Sequence, residues 1–201
     1  MRFAFLDVET TGLDRVSNYI LEVAWVFTDA YFQQVSEPKS FLVKQELDGD
    51  TARSFEQIDE SEFLTDMHTT SGLYQDLKTP EVEKVPMSFI RDTFARDAIE
   101  QGAPATPIRF AGYSVSFDRE FLRANGWYEL IETKSFGFQM HHRILDISSL
   151  IQFFDGAGID VPYIVNENAH RALDDSLHAM KTVQAMAKEV GWASHMPEDA
   201  L

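Results

Sequence analysis

The chain has 201 residues, 44% of them hydrophobic, a formal charge of −16 at neutral pH and no cysteine. This length and apolar content exclude a disordered polymer and allow one sizeable core, while no apolar run approaches the ~20 residues needed to cross a bilayer. The missing thiols exclude disulfides and thiolate nucleophiles, and the acidity excludes a protein that grips long nucleic acid mainly by neutralising phosphates. Carboxylate and histidine chemistry remain. A single domain over residues 1–201, with no membrane span and a cytoplasmic location, is the expectation.

The run Phe3-Ala4-Phe5-Leu6 reads as a buried strand, and it ends by placing Asp7 and Glu9 two residues apart. In a strand both carboxylates point to one face, where two such charges about 4 Å apart repel by about 4 kcal/mol at the effective dielectric of a protein surface. A divalent cation that prefers oxygen ligands, magnesium or manganese, relieves that repulsion. Thr10-Thr11-Gly12 follows as a turn whose hydroxyls and backbone N–H groups can approach a phosphate. Taken alone, the stretch also admits the lesser reading of an edge strand ending in solvated acids.

Tyr19 to Thr28 is dense in β-formers and Phe41-Leu42-Val43 marks a third strand, so the fold opens on an antiparallel meander. Residues 44–66 are acidic without a clean period, with a short helix at most over Ser54 to Phe63. His68 to Leu73 reads as a polar loop leading into a helix around Tyr74 to Leu77. Pro80 to Gln101 has helical spacing, with Pro86 kinking the helix or delaying its start. After a breaker cluster over Gly102 to Pro107, a strand (Ile108 to Gly112) and a helix (about Ser116 to Asn125, stopped by Gly126) are expected. Ile144-Leu145 reads as a short strand before a capped helix ending before Gly156, and Ala172 to Val190 as the last helix, with Leu173, Leu177, Met180, Val183, Ala187 and Val190 on its apolar stripe. Strands alternating with helices after a meander give an α/β fold with a mixed central sheet.

Two further acids stand at helix entrances. Asp118 lies in the first turn after a strand, and Asp175 follows His170 by five positions, about 200° around its helix from Leu173 and so off the apolar stripe. Either acid by itself is also a plain complement to a helix dipole.

Together, Asp7-Val8-Glu9 with its Thr-Gly turn, Phe117-Asp118 opening a helix, and His170 with Asp175 resemble the DEDDh family of 3′-to-5′ exonucleases. Within it, His68-Thr69-Thr70-Ser71-Gly72-Leu73, Arg143-Ile144-Leu145-Asp146 and His170-Arg171-Ala172-Leu173-Asp174-Asp175 are most similar to the oligoribonuclease group. The resemblance implies a ribonuclease-H-like fold with a mixed five-stranded sheet flanked by helices. It implies a phosphodiester hydrolase that trims short RNA, dinucleotides included, to nucleoside 5′-monophosphates. Asp7, Glu9, Asp118 and Asp175 then hold two Mg²⁺ or Mn²⁺ ions, with Asp7 bridging them, and His170 takes the proton of the attacking water. The same comparison places Leu13 and Phe63 against the bases, His68 beside the substrate, and Ser114, Arg143 and Ser148 around a 5′-phosphate. His142 stands where a partner subunit's tyrosine reaches, on the expectation of a homodimer. Tyr113 departs from the group's usual asparagine, His141-His142 from its aromatic pair, and Phe63 from its tryptophan. A proofreading-type exonuclease for single-stranded DNA shares the five central residues, and an idle nucleic-acid-binding module is the third reading.

Overall fold

The computed structural model describes residues 1–45, 50–161, 164–166 and 168–192. Strands β1 (Arg2–Thr10), β2 (Ile20–Thr28), β3 (Lys39–Val43), β4 (Lys84–Val85), β5 (Ile108–Gly112) and β6 (Leu145–Asp146) form one sheet in the order β4-β3-β2-β1-β5-β6. The β1–β2 and β2–β3 pairs are antiparallel and the other three parallel, so the sheet is mixed, as expected. It has six strands rather than five. The extra one, β4, comes from Pro86: the residue before a proline is biased to extended backbone. Lys84–Val85 therefore pairs with β3, and the helix read as starting near Pro80 begins at Met87.

The helices are α1 (Asp50–Asp59), α2 (Glu62–Thr70), α3 (Leu73–Lys78), α4 (Met87–Glu100), α5 (Ser116–Leu122), α6 (Tyr128–Glu132), α7 (Ile147–Gly156) and α8 (Ala172–Glu189). Two of them correct the sequence reading. The region around Ser54 to Phe63 holds a break between two helices, because Ser61 caps α2 by accepting the Leu64 N–H on its hydroxyl. Helix α2 then runs through His68 to Thr70, where a loop was expected. Helix α5 ends at Leu122, short of Asn125. Residues Arg123–Trp127 form a π-helical turn, with Gly126 at φ +91° before α6 begins.

The sheet has two apolar faces, and β1 alternates between them. Ala4, Leu6 and Val8 pack on the α4 and α5 side with Phe94, Phe110 and Phe121, whereas Phe3 and Phe5 pack on the α7 and α8 side with Ile147, Ala179, Met180 and Val183. Each fully buried Val, Leu, Ile, Phe or Met side chain among them contributes about 1.5–3 kcal/mol. A one-residue slip of β1 would invert both faces, so the strand that ends in Asp7 and Glu9 is fixed in register from above and below. The stripe of α8 is carried by Ala172, Ala179, Met180, Val183 and Met186, while Leu173 and Leu177 are half-buried and Val190 is exposed. At the end of β5, a Cβ built on Gly112 would stand 2.7 Å from the Leu6 carbonyl oxygen. Only a residue without a side chain lets β5 approach β1 there, and that approach carries α5 and Asp118 to the acid end of β1.

Candidate active site

Asp7 and Glu9 project from the β1 face that lies under α8. Asp118, 3% exposed in the first turn of α5, accepts the Val8 N–H on Oδ1 at 2.9 Å, which sets its carboxyl against the backbone between the two strand acids. Asp175, in the first turn of α8, accepts the His170 N–H on Oδ2 at 3.0 Å and an Asn166 amide N–H on Oδ1. Glu9, His170 and Asp175 offer ligand atoms within 4.8 Å of one another, a group that can hold a metal ion. His170 has φ +68°, a left-handed backbone that non-glycine residues adopt only when their surroundings enforce it.

Burial and mutual repulsion push this cluster toward protonation. Desolvation raises the Asp7 carboxyl well above its usual range, helped by Asp118, Glu9, Asp175 and Glu22. Glu9 is pushed up to about 8 by burial first and then by Asp175, Glu22 and Asp118, with Arg171 opposing. Asp118 reaches about 7, its burial partly offset by the Val8 N–H, and Asp175 is also raised. Four acids that resist ionising together are an incomplete charge set. The donors are all hard oxygens apart from one imidazole, which fits a divalent cation of the magnesium or manganese kind.

These shifts have a sign. A carboxylate whose native pKa lies above its unfolded value binds its proton more tightly when folded, so stability is fully present below about pH 4 and is lost as pH rises toward 8 for Glu9. In EDTA, the melting temperature is therefore expected to fall between pH 5 and pH 8, with acid denaturation of other groups setting the lower limit. Adding Mn²⁺ at pH 8 restores it. A melting temperature independent of both pH and Mn²⁺ over that range would show that the acids do not face one another.

The expected substrate residues fall into four groups. Leu13 (87% exposed) and Phe63 (71% exposed) are surface apolar side chains, not core. The Leu13 loop is braced from below: Gln57 Oε1 accepts from the Thr11 hydroxyl and the Asn18 amide, and Gln57 Nε2 donates to the Ser17 carbonyl. Ser114 and Ser148 place their hydroxyls 3.4 Å apart at the heads of β5 and α7, with Ser114 at φ +47°. Arg143 is exposed, and its N–H donates to His141 Nδ1, while His142 stacks on His141 with ring centroids 4.5 Å apart. His68, in contrast, is fully buried. Its Nε2 meets the Thr10 carbonyl at 3.1 Å, Nδ1 has no partner, and burial lowers its pKa.

Sequence reasoning missed four contributors. Asn166 and Asp76 gave no signal. Glu22 did, as a charge inside the apolar run Ile20-Leu21-Glu22-Val23, and Arg171 was read only as part of a motif. Tyr113 points away from the serine pair: its hydroxyl lies 2.9 Å from His178 Nδ1 and 2.8 Å from the Thr182 hydroxyl on α8.

No family model matches the chain. Oligoribonucleases do. The one from Corynebacterium efficiens is 31% identical over 187 residues, covering 90% of this chain and 75% of that protein. That of Photorhabdus laumondii is 31% identical over 176 residues, covering 85% of each. Among solved structures, Escherichia coli exonuclease I in complex with a dT13 oligonucleotide superposes with TM-score 0.63 at 17% identity over 96% of this chain. The chain spans 42% of that protein's length, and a product-bound exonuclease I gives TM-score 0.62 at 14% identity. At such identity the likeness concerns the fold, and it agrees with the ribonuclease-H-like architecture implied by the motifs.

Proposed function

The chain belongs to the oligoribonuclease family, and on that basis we propose that it is a metal-dependent 3′-to-5′ exonuclease that hydrolyses short oligoribonucleotides, dinucleotides included, to nucleoside 5′-monophosphates. The observation that carries the reading is the convergence of Asp7, Glu9, Asp118 and Asp175 around the end of β1 with His170 beside them.

In this proposal the four carboxylates hold two divalent ions, Mg²⁺ or Mn²⁺, which supply Lewis acidity to the scissile phosphate and to the attacking water. The protein's own groups do the rest. Val8 N–H fixes Asp118, and Asn166 with the His170 N–H fixes Asp175, so these two ligands are aimed before any cation arrives. The His170 imidazole accepts the water's proton. Leu13 and Phe63 flank the two bases, and the Ser114 and Ser148 hydroxyls with the Arg143 guanidinium meet the 5′-phosphate. His68 acts from below, by holding the Thr10 carbonyl. The family's dimer would bring His142 from a second copy. Among the described residues no helix is long and apolar enough to cross a membrane, and we place the enzyme in the cytoplasm.

The test compares a 5′-phosphorylated RNA dinucleotide with a single-stranded DNA of about 20 nucleotides, both with Mn²⁺. The dinucleotide is expected to be cleaved with at least about tenfold higher kcat/KM. The reverse preference favours the DNA exonuclease, and no monophosphate from either substrate favours the idle binding module.

A further inference from the structure

Two buried acids among the described residues take no part in the proposed mechanism: Asp97, which is paired with Lys39 and Trp25 away from the site, and Glu22, which lies beside it. Glu22 is 1% exposed near the start of β2, and the strand register sets it directly opposite Glu9. Like charges facing across paired strands repel, and a buried carboxylate persists only when its oxygens are satisfied. Four donors satisfy this one. Arg171 Nε reaches Oε2 and a terminal guanidinium nitrogen reaches Oε1, each at 3.1 Å; the Ala172 N–H donates to Oε2 at 3.1 Å, and the Ser40 hydroxyl to Oε1 at 2.7 Å. The other terminal nitrogen of Arg171 meets Asp76 Oδ2 on α3 at 2.9 Å.

This arrangement grips the two residues that follow His170, one through its side chain and the next through its peptide. On the other side, the His170 N–H is tied to Asp175. Residue 170 is thus held at φ +68° between two anchors, one on β2 and one on α8. We propose that Glu22 and Arg171 are positioning residues that hold the His170 imidazole in its proton-accepting pose, through a two-pronged guanidinium–carboxylate fork rooted in the sheet. Asp76 draws α3 into the same clamp with a lesser share, since it is partly open to solvent. An ammonium cannot replace the fork, because it offers a single point of charge where two parallel N–H bonds are needed.

The inference rests on the exonuclease reading, and the experiment separates the two. Full-length protein with Mn²⁺ and a 5′-phosphorylated RNA dinucleotide is assayed for R171Q, R171K, E22Q and D76N, each alone and combined with H170A. We expect R171Q and E22Q to lower kcat at least about 30-fold with KM within about threefold, R171K to recover only a minor part, and D76N to lose less than about fivefold. On the H170A background R171Q costs less than about threefold more, because its effect is transmitted through the missing ring. A full additional loss there, or unchanged kcat in R171Q, overturns the clamp. Amide hydrogen exchange reads the clamp without turnover. In R171Q the His170 amide exchanges at least about tenfold faster while the Phe5 and Val26 amides do not change, and an unaltered His170 amide overturns the proposal. A wild-type enzyme that releases no monophosphate overturns the exonuclease reading instead.

Discussion

Asp7→Asn is expected to lower turnover by about three to four orders of magnitude and, in the same molecule, to raise the melting temperature of the metal-free protein. Asparagine keeps the size and one carbonyl acceptor but removes the charge on which the proposed cation cage is centred. Asp7 is also the acid most beset by its neighbours: burial, then Asp118, Glu9, Asp175 and Glu22, all oppose its ionisation. Once ionised, its charge is a cost in the empty protein and a ligand in the loaded one, so its loss acts in opposite directions on stability and catalysis. A single-turnover assay with Mn²⁺ and a thermal melt in EDTA at pH 8 read the two effects. Full activity in the variant would remove the cage. Lost activity with a lower melting temperature would instead mean that Asp7 is structural.

His170→Ala is expected to lower kcat by about 10²- to 10⁴-fold while leaving KM nearly unchanged, the range associated with a positioned proton acceptor. A competing role for the ring is as a ligand, because its nitrogen lies within 4.8 Å of carboxylate oxygens of Glu9 and Asp175, close enough to share a cation with them. Calorimetric titration with Mn²⁺ distinguishes them. A proton acceptor can be removed with little change in cation affinity, whereas a ligand cannot. If the affinity falls in step with kcat, His170 holds metal and another group takes the proton. Partial recovery of turnover by added imidazole supports the proton role.

Much of this was legible in the chain. Asp7-Val8-Glu9 declared a strand whose acids share a face because strand periodicity is two and the preceding run is apolar. Asp118 and Asp175 were placed correctly in first turns, and the stripe on α8 had the right phase at Met180 and Val183. What stayed hidden is long-range. Whether Lys84–Val85 extends the sheet depends on β3 offering an open edge, which local spacing does not encode. Helix α2 was missed because its cap, Ser61, sits in an acidic stretch without periodicity, so one hydroxyl decides the boundary. His68 reads as a polar loop residue in the sequence, and only the packing of α2 under the Thr10 turn reveals it as buried. Glu22 was visible as an anomaly within a strand, but its partner lies 149 positions away.

The position of α8 at the far end of the connectivity has a biosynthetic consequence. Asp7 and Glu9 leave the ribosome roughly 10–30 s before Asp175, at ordinary elongation rates. Until α8 docks, the proposed cation cage lacks Asp175 and the proposed proton acceptor His170 is untethered, so a nascent chain is inactive. During that interval the Phe3, Phe5 and Val26 surface, later covered by Ala179, Met180 and Val183, is bare. A premature stop within α8 would yield an inert and sticky fragment rather than a weakened nuclease.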